Sequence, residues 1–118
     1  MLRLVSTSWA LALLLIVTGG AGAGAAELTF DIKIEHGRIP DAMHLMRVHE
    51  GDIVTLQWTS DRLVILHLHG YDIEKRVAPD AVTELAFTAY ATGRFPIEIH
   101  APGAHEKAPV AIIEVYPR

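Results

Sequence analysis

The chain has 118 residues, enough for one domain, and carries 10 Lys+Arg against 14 Asp+Glu for a formal net charge of −4. That balance lacks the basic footprint of a nucleic-acid binder and makes cations more welcome than anions at the surface. Cysteine is absent, so neither a disulfide scaffold nor a thiolate metal ligand can be built.

The first 26 residues read as a segment apart from the domain. Arg3 gives a short basic start, and Trp9 to Val17 (WALALLLIV) forms an apolar core. Thr18 to Ala26 (TGGAGAGAA) is small and flexible, with several A-x-A-like cleavage choices. This is the pattern of a secretory signal peptide, too short for a comfortable membrane span. The expectation is a leader over 1–26 and a domain over 27–118, periplasmic or secreted, with no stable membrane anchor after cleavage. The domain then keeps 9 Lys+Arg against 14 Asp+Glu, a net charge of −5, and all seven histidines. So many histidines in a small exported domain are a compositional pointer to metal handling.

Downstream, short strands alternate with turn chemistry. Leu28, Phe30, Ile32 and Ile34 share one face of a period-two strand. Pro40 fits a break or an edge. Met46, Val48, Val54, Leu56 and Trp58 share one parity around the turn Glu50-Gly51-Asp52, which predicts a strand on either side. Leu63 to His69 is extended and aliphatic, and Tyr71 and Ile73 continue the parity of His67 and His69 across Gly70. Val82 to Thr88, Arg94 to His100 and Val110 to Tyr116 complete the set, with turns at Pro79-Asp80 and Ala91-Thr92-Gly93. Helical periodicity is missing throughout the domain. About seven strands at this spacing predict an all-β, Greek-key β-sandwich.

Two segments could carry chemistry. Phe95-Pro-Ile-Glu-Ile-His100-Ala-Pro-Gly-Ala-His105 sets two histidines five residues apart, at a strand end and past a turn. Leu66-His67-Leu68-His69-Gly70 supplies an earlier pair of shared parity, with strand rise placing those two residues about 7 Å apart. Met43, His44, Met46 and His49 form another group of soft or borderline donors, suited to Cu(I) if they converge. Met46 has core parity, however, and Met43 reads as filler at the sandwich edge. Glu98 and Glu106 read as solvated charges ahead of weak or supporting ligands. Asp72 alternates away from His69 toward solvent, His36 sits in a surface turn, and Trp58 and Tyr71 read as core aromatics.

Three stretches together resemble the cupredoxin family over nearly the whole domain. Val48-His-Glu-Gly-Asp-Ile-Val-Thr-Leu-Gln-Trp58 is similar to its "V-x-x-G-D-x-V-x-L" hairpin. His69-Gly-Tyr-Asp-Ile73 looks like its first copper histidine followed by alternating core residues. Gly93-Arg-Phe-Pro-Ile-Glu-Ile-His100 is similar to the strand that delivers the copper thiolate, with His100 where the cysteine would stand. Past it, Ala101-Pro-Gly-Ala-His105 has the spacing of azurin-like members to a second copper histidine, and Pro109 falls near the axial methionine's place.

The resemblance implies a cupredoxin-like sandwich with His69, His100 and His105 converging at one pole, and His67 as a candidate fourth ligand. It gives no support for a blue electron-transfer centre, because the thiolate and thioether are both missing. Three imidazoles suit copper, as Cu(II) or Cu(I), and also zinc. The expected function is copper carriage or transfer, with a copper-donating or copper-receiving protein as partner, and not an enzyme. Two other readings stay open: a metal-free interaction module on the same fold, and a small histidine-only copper redox protein.

Overall fold

The computed structural model describes residues 24–104 and 108–118. Eight strands are observed: β1 (Glu27–Ile34), β2 (Leu45–His49), β3 (Ile53–Ser60), β4 (Val64–Leu68), β5 (Ile73–Val77), β6 (Thr83–Thr88), β7 (Gly93–His100) and β8 (Ala108–Tyr116). A single 3-10 turn, Asp41–Met43, lies between β1 and β2. Most of the expected leader lies outside the described residues. Among those described, no helix is long and apolar enough to cross a membrane.

The strands form two sheets, β1-β3-β6 and β2-β8-β7-β4-β5. Successive strands repeatedly change sheet, so β1 pairs parallel with β3 and β2 parallel with β8, while the remaining pairs are antiparallel. Both sheets are therefore mixed, and the architecture is a β-sandwich. Period-two alternation builds its interior. Ile32 and Ile34 of β1, Val54, Leu56 and Trp58 of β3, and Leu85 and Phe87 of β6 face inward from one sheet. Met46 and Val48, Leu66 and Leu68, Ile97 and Ile99, and Ile113 and Val115 meet them from the other.

One element departs from the expected pattern. Residues from Ile73 onward do not extend β4; they return beside it as β5, with Leu68 opposite Ile73 and Val64 opposite Val77. Gly70 (φ +83°) and Asp72 (φ +53°) both take the left-handed conformation that reverses the chain. Gly70 is also fixed by space, because a Cβ there would stand 2.4 Å from Cδ1 of Phe95.

Strand direction sorts the connections between two ends of the sandwich. The β1–β2, β3–β4, β5–β6 and β7–β8 connections share one end, together with His100. The β2–β3, β4–β5 and β6–β7 turns share the other. This second end is heavily braced. Tyr71 in the β4–β5 turn packs on Phe87, Tyr90 and Phe95 at ring-centroid distances of 4.8, 4.9 and 4.9 Å. Its hydroxyl donates to the Ala91 carbonyl at 3.2 Å, and burial pushes the phenol above its ordinary pKa.

Candidate metal centre

The outer face of the five-stranded sheet carries the site. Along β4, Val64, Leu66 and Leu68 are buried, so Ile65, His67 and the following His69 must point away from the core. On β7, Ile97 and Ile99 are buried and Glu98 points outward. The antiparallel register places His67 directly opposite Glu98. His69 continues the ladder one step past the strand, its N–H donating to the Pro96 carbonyl at 3.0 Å. Three outward side chains from two neighbouring strands thus share one patch.

Their donor atoms all lie within 4.8 Å of one another. His69 Nε2 is 2.9 Å from Glu98 Oε2, an ion-pair distance, while no hydrogen bond uses that nitrogen. His67 Nδ1 is shielded from solvent and has no hydrogen-bond partner. The two imidazoles lean together to a centroid separation of 4.3 Å, closer than strand rise alone would set them. Side-chain exposure is 21% for His67, 40% for His69 and 24% for Glu98, so the patch is half-buried and open on one side. Asp72 is fully exposed, as expected, but its carboxylate lies 3.6 Å from His67 Nε2, near without being bonded.

The bracing explains why the site can be ordered on an outer face. Phe95 presses on Gly70 and Tyr71 anchors the same turn, which fixes the backbone just after His69. Beyond Pro96, Arg94 and Arg47 pair with Glu114 at 3.2 and 3.9 Å, holding the neighbouring charges of this face in their own cluster. Two imidazoles and a carboxylate are a donor set for Cu(II) or Zn(II), with the solvent side available for a further ligand.

His100, expected among the ligands, lies elsewhere. His100 is opposite Ile65, four positions along the β4/β7 ladder from the Pro96 level where His69 sits. Four strand residues span roughly 13 Å, too far for one ion. The physical reason is strand direction. In an antiparallel pair the end of β7 meets the beginning of β4, so histidines at the ends of both strands stand at opposite ends of the sheet. His100 Nδ1 instead lies 3.1 Å from the Ala101 carbonyl. His105 and Glu106 are outside the described residues.

The methionine group does not converge either. Met46 is buried in the core, Met43 packs against its edge, His44 lies 3.9 Å from Asp41 and His49 neighbours Tyr116. On sequence Glu98 reads as a solvated charge ahead of a weak or supporting ligand, whereas the structure sets it beside both imidazoles. The signal that could have found it is its parity with His100, combined with antiparallel pairing of the two histidine-bearing strands.

No family model and no curated protein matches this chain. Solved structures do. The periplasmic domain of subunit II of cytochrome oxidase (CoxB) of Bradyrhizobium japonicum superposes with a TM-score of 0.61 at 16% identity, covering 76% of this chain and 84% of that one. A heme-copper terminal oxidase dimer gives 0.59 at 14% identity, covering 74% of this chain and 63% of that one. A multi-copper oxidase from Pseudomonas thermotolerans gives 0.57 at 12% identity, with 80% and 31% covered. The chain therefore spans less than two thirds of either oxidase chain. At such identities the likeness establishes the fold, and the fold is cupredoxin-like.

Proposed function

We propose that this protein binds one copper ion outside the cytoplasm and carries it to or from a partner protein, using His67, His69 and Glu98. The observation that carries the reading is the convergence of those three donors, with two imidazole nitrogens, His67 Nδ1 and His69 Nε2, shielded from solvent and unused for hydrogen bonding. A desolvated nitrogen without a partner is costly, and a metal bond relieves that cost. The carboxylate favours Cu(II) over Cu(I), for which soft sulfur donors are preferred. Half-exposure of the three side chains suits acquisition and release better than a sealed structural site would. Two of the three solved structures of like fold are named for copper oxidases, which supports copper over other ions.

The test is a copper titration of the exported protein, read by electron paramagnetic resonance. One equivalent with two nitrogen couplings and no intense visible band is expected, and zinc is the control competitor. Binding lost in His67→Ala and His69→Ala but kept in His100→Ala confirms the assignment. Binding lost only in His100→Ala and His105→Ala would move the site to the other end of the sheet. No stoichiometric binding of either copper oxidation state would leave a metal-free interaction module on this fold.

A further inference from the structure

Outside the metal patch, the densest network around a buried charge lies where the chain enters the domain. Asp52 is 2% exposed, in the turn between β2 and β3. Its Oδ1 accepts the Ala26 N–H at 2.9 Å and pairs with the Arg118 guanidinium, and its Oδ2 accepts the His49 N–H at 2.8 Å. Burial acts to raise the Asp52 carboxyl, but the two backbone N–H groups and the guanidinium outweigh it and hold the group below the usual carboxylate range. Ala26 also accepts the Ile53 N–H at 2.9 Å, which carries the β1/β3 ladder one step before Glu27. Arg118 then reaches on, donating through Nη1 to the Gly24 carbonyl at 2.7 Å and through Nε to the Glu50 carbonyl at 3.0 Å.

Gly24, Ala25 and Ala26 are therefore domain residues, although the sequence pattern groups them with the leader. Small residues at the two positions that a signal peptidase reads permit cleavage after Ala21, Ala23, Ala25 or Ala26. These products are not equivalent. Cleavage after Ala26 removes a donor from a buried carboxylate and the acceptor of Ile53. Cleavage after Ala25 leaves an amine beside Asp52 but takes away the carbonyl that Arg118 holds.

Cleavage after Ala21 or after Ala23 preserves every bond. We propose that processing falls at or before the Ala23–Gly24 bond, so that Gly24–Ala26 stay on the exported protein as a clasp joining Asp52 to Arg118. The inference rests on the leader expected from the sequence and is independent of the copper reading.

The experiment is export of the full chain with its own leader, followed by intact-mass measurement. A mass for residues 24–118 or 22–118 is expected. A chain beginning at Ala26 or Glu27, or one retaining the leader, overturns the proposal. The clasp itself is tested in the same exported protein with Ala26→Pro, which deletes the N–H that Asp52 accepts. Its melting temperature should fall by roughly 5 °C, and combining it with Asp52→Asn should cost less than the two separate losses together. An unchanged melting temperature in Ala26→Pro, or fully additive losses, would show that the clasp contributes nothing.

Discussion

The two ends of the β4/β7 ladder each offer histidine, yet they are built differently. At the His69 end the β4–β5 turn is braced by Tyr71, Phe95 and Gly70, and a carboxylate faces the imidazoles across the strand pair. At the His100 end the ring lies near its own neighbour's carbonyl, and the cross-strand residue is Ile65. A ligand set needs donors that converge and a backbone that holds them there. Among the described residues, only the first end has both. The comparison is broken most directly by substitution. His69→Ala should weaken Cu(II) binding by about 100-fold or more, above the range seen when only a supporting residue is lost. His100→Ala should change it by less than about 3-fold, within a rotamer's worth of free energy. Competition titration against a chelator of known affinity reads both, and equal losses would remove the distinction between the ends.

Bracing can be tested apart from ligation. Gly70→Ala forces a Cβ to within 2.4 Å of the Phe95 ring and strains a φ of +83°. The expected cost is about 2–3 kcal/mol in denaturant unfolding, with Cu(II) affinity falling although every ligand remains. A stable protein with intact affinity would mean that the turn does not position His69. Protons sharpen the same point. Imidazole must be proton-free to bind metal, so affinity should decline as pH falls from 7.5 to 5, whereas a flat profile would argue against histidine ligands.

The braced end also has its own acid sensitivity, at Asp52. A carboxyl depressed in the folded state contributes stability that is present above the ordinary carboxylate pKa, about 3.9, and lost as pH drops through the lower folded value. Asp52→Asn should therefore destabilise the protein near neutral pH by about 2–3 kcal/mol, given a buried acid paired with a partly exposed Arg118. The gap to the parent should close below about pH 4. Thermal melts of both proteins from pH 7 to pH 3 give the answer, and a gap independent of pH would assign the loss to packing instead.

How much of this was legible in the sequence follows the same division. Alternation identified the inward residues of the first three strands, because a half-buried strand writes its burial in period two; Ile32, Val54, Leu56 and Trp58 are cases. The sharing of a face by His67 and His69 was legible for the same reason. Pairing direction was not, because it depends on which strands become neighbours, and that decision placed His69 and His100 at opposite ends. The reversal at Gly70–Asp72 was half-written. Gly70 marked a break, but the left-handed Asp72 that completes the turn has no unique signature. Glu98 looked like a surface charge because a lone acidic residue in a strand usually is one. Only the register opposite His67 makes it a ligand candidate.

The finest distinction concerns Asp72, whose carboxylate lies 3.6 Å from His67 Nε2 while its side chain is fully exposed. An exposed charge beside an imidazole acts through a high-dielectric path and is screened by salt. It adds negative potential near an incoming cation but holds no ring in place. Asp72→Asn, which keeps the shape and a side chain tolerant of the left-handed backbone, should reduce Cu(II) affinity by no more than about 3-fold in low salt. The difference should vanish at an ionic strength of about 1 M, where the screening length is near 3 Å. If the loss instead matched that of His69→Ala and persisted in salt, Asp72 would be a ligand, and the braced end would hold its ion from the β4–β5 turn as well as from the strands.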